Sequence, residues 1–142
     1  MRRRSRKSGV GSGGRLVLDT SFLIEVLDRG RRDLVNVLAG YDEIIIPWIC
    51  LYEYLYGHRV GRRAGREEVL ERKEKVEALG LVYYGDQKIV ENALELELEL
   101  TKRGRKIPFS DLLVASFTLT FDADLATLDE KHFEFIKDRI VT

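Results

Sequence analysis

Cysteine and histidine are scarce in this chain, and their scarcity excludes several kinds of site. The single cysteine, Cys50, allows neither an internal disulfide nor a cysteine-rich zinc site. The two histidines, His58 and His132, lie far apart, and neither has a second histidine at metal-ligand spacing. We therefore expect surface or packing roles for both histidines and a buried, hydrophobic role for Cys50.

Long apolar runs are also missing. No stretch approaches the ~20 apolar residues that a membrane-spanning helix needs, and the basic start, MRRRSRK, leads into SGVGSGG rather than a signal-peptide core. The glycine-rich segment GVGSGG lacks the Lys-Ser/Thr ending of a phosphate-binding loop. These absences predict a cytoplasmic protein with no membrane partner.

A length of 142 residues predicts one domain. We expect residues 1–14 to be a basic, flexible Gly/Ser-containing leader and residues 15–142 to form the domain. Six cations and no acid precede Asp19, although the net charge of the whole chain is zero. The alternative for this leader is a basic arm that neutralises phosphates of a nucleic acid.

After residue 14, short apolar runs alternate with longer segments of helical periodicity, which is typical of an α/β fold with a parallel sheet. The alternating segment LELELEL also fits a strand, but its length and strong helix formers favour a helix over 87–103. The expected strands are 16–18, 44–46, 81–84, 125–127 and a possible last strand at 139–141. The expected helices are 21–27, resumed at 33–38, then 50–57, 66–79, 87–103, 112–120 and 131–135.

Four carboxylates lie where an apolar run ends or a helix begins: Asp19, Glu53, Asp111 and Asp129. Because ligands of parallel α/β sheets bind beyond the carboxyl ends of the strands, these acids can meet in one pocket. Their mutual repulsion favours a divalent cation, and Mg²⁺ or Mn²⁺ prefers such oxygen ligands. The chemistry that follows is phosphodiester hydrolysis. Taken singly, Asp19 is equally typical of a helix N-cap, and so is the Ser110–Asp111 pair.

The segments LVLDTSFLIEVL, CLYEYLYG, GRKIPFSDLLVAS and ATLDEKHF together resemble the PIN-domain ribonucleases, and more narrowly the VapC-type toxins. The resemblance covers about residues 16–142. It implies a three-layer α/β/α domain with a parallel sheet of strand order 3-2-1-4-5. It also implies Mg²⁺ or Mn²⁺ held by the four acids, with Asp129 acting directly or through water and with Ser21 and Thr127 supporting them.

The same resemblance implies endonucleolytic cleavage of single-stranded RNA, a homodimer and a VapB-like antitoxin. Alternatives are an RNA- or protein-binding module without catalysis, an RNA-processing nuclease that is not a toxin, and a phosphohydrolase with Asp19 as nucleophile. The last requires an acid two residues after the nucleophile, where this chain has Ser21.

Basic residues just before Asp111 are candidates for the RNA backbone, or else form a solvated helix end. They are Lys102, Arg103, Arg105 and Lys106. A second basic cluster follows the Glu53 helix and consists of Arg59, Arg62, Arg63 and Arg66. We expect the remaining aspartates to lie in solvent or turns, namely Asp28, Asp42, Asp86, Asp122, Asp124 and Asp138.

Overall fold

The computed structural model describes residues 13–141, so the predicted leader lies outside the described residues except for Gly13 and Gly14. Four parallel strands form one sheet in the order β3-β2-β1-β4. Their bounds are β1 Arg15–Leu18, β2 Glu43–Pro47, β3 Leu81–Tyr83 and β4 Asp124–Ala126. The predicted α/β class with a central parallel sheet is confirmed.

Helices connect successive strands and flank the sheet. They are α1 Thr20–Leu27, α2 Arg32–Leu38, α3 Trp48–Tyr56, α4 Arg66–Leu79, α5 Gln87–Lys102 and α6 Phe109–Thr120. A π-helical turn, Gly57–Gly61, follows α3, and a kinked 3₁₀ segment, Glu130–Arg139, follows β4. Within residues 13–141, no helix is both long and apolar enough to cross a lipid bilayer.

The segment LELELEL is helical, as its composition predicts. It belongs to α5, where Ile89, Ala93 and Leu100 are buried while Leu94 and Leu98 face solvent. This spacing follows the period of a helix, because a strand would bury every second residue. The helix packs most extensively against α6.

The predicted fifth strand at residues 139–141 is wrong. Arg139 still belongs to the 3₁₀ segment, and its guanidinium donates to Asp122 Oδ1 at 2.8 Å. Only Ile140 then aligns with β4, in a single parallel bridge to Leu125, before the described residues end at Val141. The sheet of residues 13–141 therefore has four strands instead of the order 3-2-1-4-5.

The central strand β1 places the site. Leu16, Val17 and Leu18 have no exposed surface, as expected for a strand covered on both faces. Leu18 pairs with Ala126 of β4, so the residues that follow each strand emerge side by side at the carboxyl edge of the sheet. The next residues are Asp19 and Thr127.

The expectation of solvent or turns is wrong for Asp124, which lies buried in β4, whereas Asp28 does lie in the turn after α1 although its side chain is mostly covered. Asp124 is 2% exposed and accepts the hydroxyl of Tyr41 at 2.7 Å. The Asp28 side chain is 9% exposed and bonds to side chains of α3 and α4. The side chains that contact these two aspartates lie far away in the sequence, so no local sequence pattern predicts the contacts.

Candidate active site

Asp19 is the residue where β1 passes into α1, and its carboxylate is the N-cap of that helix. Oδ1 accepts the backbone N–H of Phe22 at 3.0 Å and the hydroxyl of Ser21 at 2.7 Å. Oδ2 accepts the hydroxyl of Thr127. The carboxylate is therefore held in one orientation by three donors, although the side chain is almost fully buried.

The loop after β4 is tied to the same point. The Thr127 hydroxyl accepts the backbone N–H of Asp129 at 2.9 Å, and the Ser21 hydroxyl accepts the backbone N–H of Leu128 at 3.0 Å. Ser21 and Thr127 thus each contact Asp19 and also fix the loop that carries Asp129. This geometry fits the supporting role expected of the two residues, and that role stays a prediction.

Glu53 enters from α3, which begins directly after Pro47, the last residue of β2. Thr20, in the first turn of α1, donates its hydroxyl to Glu53 Oε1 at 2.6 Å. The contact links α1 to α3 across the site. Neighbouring Tyr54 packs in the core, so the helix holds Glu53 at a defined depth, half-buried.

Asp111 lies in the first turn of α6. The predicted N-cap at Ser110 is wrong, because α6 begins at Phe109, its N-cap position is Pro108, and no side chain caps it. Asp111 Oδ2 is buried and lies 2.8 Å from His132 Nδ1, a contact that lowers the pKa of this carboxyl against the effect of burial. The partner that the described residues provide for Asp111 is therefore His132.

His132 is a site residue that sequence reasoning missed. Its Nδ1 lies 2.8 Å from Asp111 Oδ2 and also 2.8 Å from Asp129 Oδ2, with the imidazole half exposed. The imidazole lies at the surface, as expected, but it also contacts two of the four predicted acids. The spacing of three residues from Asp129, one turn of the 3₁₀ segment, is the signal that indicates their proximity.

All four predicted acids line one cavity of about 350 Å³, with His132 at its wall. The acids come from four separate segments, and Ser21 lines the cavity with them. The full wall is Asp19, Thr20, Ser21, Ile24, Glu53, Pro108, Ser110, Asp111, Val114, Asp129 and His132. The predicted RNA-backbone cluster, Lys102, Arg103, Arg105 and Lys106, does not contribute to this wall.

Two of the four acids, Asp19 and Asp111, have raised pKa values, and burial is the main cause for both. Burial, against the hydrogen bonds from Thr127, Ser21 and Phe22, raises the pKa of Asp19 to about 6. Burial is also the main cause that raises the pKa of Asp111, and the charges of Asp129 and Glu53 add to it while His132 lowers it. A bound cation would relieve this repulsion and favour the ionised acids.

Comparison with known proteins identifies the family. The PIN domain model matches residues 16–137, most of the chain and all of the elements that carry the site. The chain belongs to the PIN domain family. PIN domains are nucleases, which makes hydrolysis of phosphodiester bonds the general chemistry of the family. A comparison with curated proteins finds no match.

Solved structures similar to this PIN domain share its fold. VapBC2 from Rickettsia felis, bound to a DNA fragment from its promoter, is 25% identical with a TM-score of 0.77, over 90% of this chain and 97% of that one. VapBC-1 from nontypeable Haemophilus influenzae is 23% identical with a TM-score of 0.78, over 89% and 96%. DNA-bound VapBC from Salmonella typhimurium is 21% identical with a TM-score of 0.75, over 90% and 97%.

The acids of this PIN domain fit a hard divalent cation by their chemistry. Among residues 13–141, no three His, Cys, Asp or Glu side chains already form a closed set of ligands. The cavity nevertheless collects four carboxylates from four chain segments, and the His132 imidazole lies beside two of them. Oxygen donors of this kind suit Mg²⁺ or Mn²⁺, so Asp19, Glu53, Asp111 and Asp129 stay the predicted ligands.

Proposed function

We propose that this PIN domain is a Mg²⁺- or Mn²⁺-dependent endoribonuclease that hydrolyses phosphodiester bonds of single-stranded RNA. The observation that carries the proposal is the meeting of four acids from four chain segments in one cavity. Carboxylates that share a cavity repel one another, and a cation that joins them relieves this repulsion. When bound, the metal supplies Lewis-acid activation of the phosphate and of water.

The protein's own contribution is to hold the oxygens in place. Asp19 is fixed by Ser21, Thr127 and the Phe22 N–H, and Glu53 is fixed by Thr20. Side chains that orient metal ligands strengthen metal binding, so the hydroxyls act through the carboxylates they hold. Asp129 is half exposed, which suits either direct or water-mediated binding.

We also propose that the chain is the cytoplasmic toxin of a toxin–antitoxin pair, that it forms a homodimer and that it binds a VapB-like antitoxin. The support is that similar structures are VapBC complexes, two of them with DNA. The exposed cations Lys102, Arg103 and Lys106 precede the Asp111 helix and remain candidates for the RNA backbone, together with Arg105. Arg105 instead lies over the ring of Phe135, 5.9 Å from its centre.

The test is cleavage of single-stranded RNA by the purified protein in Mg²⁺ or Mn²⁺, with EDTA as one control and Asp111→Asn as another. Asp138→Asn is the matched control, because Asp138 is exposed and lies outside the cavity wall. We expect wild type and Asp138→Asn to cut the RNA, and EDTA or Asp111→Asn to abolish cutting. Cutting that survives both EDTA and Asp111→Asn would contradict the metal-nuclease proposal.

Two other outcomes would replace the proposal with an alternative. RNA binding without cutting in either metal would favour a binding module. Cutting by a protein that neither arrests growth on expression nor co-purifies with a small DNA-binding partner would favour an RNA-processing nuclease that is not a toxin.

A further inference from the structure

Two tyrosines of α3 face solvent beside the carboxylate cavity. Tyr52 and Tyr56 are 56% and 51% exposed, and their ring centres lie 6.0 Å apart. Tyr56 comes three positions after Glu53, so the two residues are neighbours on the helix surface, with their Cβ atoms ~5–6 Å apart. Glu53 lines the carboxylate cavity. The exposed aromatic surface therefore begins at the rim of that cavity.

The core does not use these two rings. Tyr54, which lies between them in the sequence, is 2% exposed and packs in the core, whereas Tyr52 and Tyr56 lie outside it. Within residues 13–141, the aromatic ring that each of the two contacts is that of the other. An exposed aromatic ring can stack on a nucleic-acid base, because every base has a flat π-face. The pair therefore offers stacking area to a ligand that enters the neighbouring cavity.

Arginines follow the tyrosines along the π-helical turn and up to the start of α4. No acid occurs between Glu53 and Glu67, while four exposed cations do, namely Arg59, Arg62, Arg63 and Arg66. None of the four forms an ion pair within residues 13–141. Arg62 also lines a smaller cavity of about 90 Å³ together with Glu53. Positive charge is thus available beside the acids, where an anionic strand would otherwise be repelled.

Asp28 fixes the end of α3 and the turn that follows it. Its carboxylate accepts the Tyr54 hydroxyl at 2.6 Å and the Arg72 guanidinium at 3.0 Å, and it lies 3.0 Å from His58 Nε2. These three partners belong to α3, α4 and the π-helical turn, so one carboxylate joins all three elements. Single π-helical turns are rare and occur frequently at functional sites. The exposed tyrosines and arginines are therefore carried by a fixed part of the fold.

We propose that Tyr52, Tyr56 and Arg62 form a binding surface for the RNA strand beside the scissile phosphate, with bases stacking on the tyrosines and a phosphate contacting Arg62. The inference rests on the proposed ribonuclease function, since that function places the scissile phosphate at the four acids. Stacking rings beside unpaired cations are the combination that binds single-stranded nucleic acid, and this combination favours RNA over a protein as the occupant. Because every base can stack, the surface positions the strand without selecting its sequence.

The test measures the binding of short fluorescein-labelled single-stranded RNAs by anisotropy, with Asp111→Asn protein so that the RNA is not cut. Tyr56→Leu removes the aromatic ring, and Tyr56→Trp keeps one. Tyr84→Leu is the matched control, because Tyr84 is 67% exposed and lines neither cavity. Lys88→Gln is the control for Arg62→Gln, because Lys88 is an exposed cation of α5 that lies outside both cavity walls.

We expect Tyr56→Leu to weaken RNA binding by about tenfold, for oligoadenylate and oligouridylate alike, while Tyr56→Trp and Tyr84→Leu bind as the parent protein does. An RNA with one abasic nucleotide beside the cleavage site should bind the parent protein about tenfold more weakly. The same abasic RNA should bind Tyr56→Leu no more weakly than intact RNA does, because the ring that would stack is already gone. Arg62→Gln should reduce the slope of log affinity against log salt by about 0.7, and Lys88→Gln should leave it unchanged.

The proposal is overturned if Tyr56→Leu binds RNA as tightly as Tyr84→Leu does, or if Arg62→Gln and Lys88→Gln have the same salt slope. A changed oligomeric state of Tyr56→Leu in sedimentation, with unchanged RNA affinity, would assign the surface to a second copy of the chain instead. Failure of the wild-type chain to cut RNA in Mn²⁺ would refute the proposed nuclease. Cutting together with binding that does not depend on Tyr56 would refute this surface alone, so the two failures are distinguishable.

Discussion

Replacing Asp19 by Asn should stabilise the metal-free protein at neutral pH, even though Asp19 is the best-supported acid of the site. The fold raises the pKa of this buried carboxyl from 3.8 to about 6. That difference corresponds to ~3 kcal/mol by which the folded state disfavours the ionised form. Asn carries no charge, so the free energy of unfolding of the variant does not fall as the pH rises through the pKa of Asp19.

The pH dependence has a definite sign. Because the folded-state pKa of Asp19 is raised, the stability from this carboxyl is fully present below about pH 3.8 and is lost as the pH rises through about 6. The Asp19→Asn variant and wild type should therefore differ little near pH 3.5 and most above pH 6.5. The introduced amide keeps an acceptor for Phe22 and Ser21, but it presents an N–H to Thr127, whose hydroxyl must turn to accept it.

Allowing ~1 kcal/mol for that weaker contact, we expect a net gain of ~2 kcal/mol at pH 7.5, or ~6 °C in Tm for a chain of this size. The assay is urea and thermal unfolding in EDTA at pH 3.5 and 7.5, with Asp138→Asn as the control for a surface change. Millimolar Mn²⁺ should raise the Tm of wild type more than that of Asp19→Asn, because ligand that binds only the native state stabilises it.

An Asp19→Asn variant that is as stable as wild type, or less stable, at pH 7.5 in EDTA would refute this prediction. A gain of equal size at both pH values would also refute it, because the stabilisation would then have a cause other than the removed charge.

Three further predictions test the site support and the fold. Thr127→Val removes the hydroxyl donor to Asp19 Oδ2, so Mn²⁺ affinity measured by calorimetry should fall ~10–100-fold; an unchanged affinity would contradict the positioning role. Leu100→Ala should lower the free energy of unfolding in urea by ~3 kcal/mol, because Leu100 is buried. Leu94→Ala changes an exposed residue of the same helix and should lower it by less than ~0.5 kcal/mol. Equal losses in the two variants would contradict the helical register of α5. Gly80→Ala would place a β-carbon 2.6 Å from atoms of β2, so it should destabilise by ~1–3 kcal/mol, and a stable, fully folded variant would show that the strand shifts freely.

Sequence reasoning succeeded where a local rule determines the structure. Short apolar runs mark the parallel strands, and the residue after the first run, Asp19, emerges at the carboxyl edge as expected. Thr127 was expected inside the fourth strand, but that strand ends at Ala126, so Thr127 follows it beside Asp19. The same logic failed at 139–141, where strand-like composition is present but the preceding 3₁₀ segment uses Arg139 before pairing can begin. Strand length depends on the geometry of the preceding connection, which composition does not encode.

The long-range contacts that the sequence did not predict share a different cause. Asp28 lies in a turn, as expected, but its carboxylate accepts a hydrogen bond from Arg72, which lies 44 positions later on α4. His132 meets Asp111 because the 3₁₀ segment after β4 folds back beside α6. These pairs depend on how helices pack over the sheet, and a single sequence provides no local signal for packing at that distance.

Asp19 and Asp111 differ in whether they cap a helix. Asp19 does cap α1, yet each carboxylate oxygen has two lone pairs, so Oδ2 retains one after it accepts the Thr127 hydroxyl. Capping and metal binding are therefore compatible at Asp19. Asp111 caps nothing, and its buried Oδ2 lies 2.8 Å from His132 Nδ1. Because Asp19 accepts three hydrogen bonds that its replacement would disturb, whereas Asp111 contacts the half-exposed imidazole of His132, Asp111→Asn separates function from structure more cleanly than Asp19→Asn.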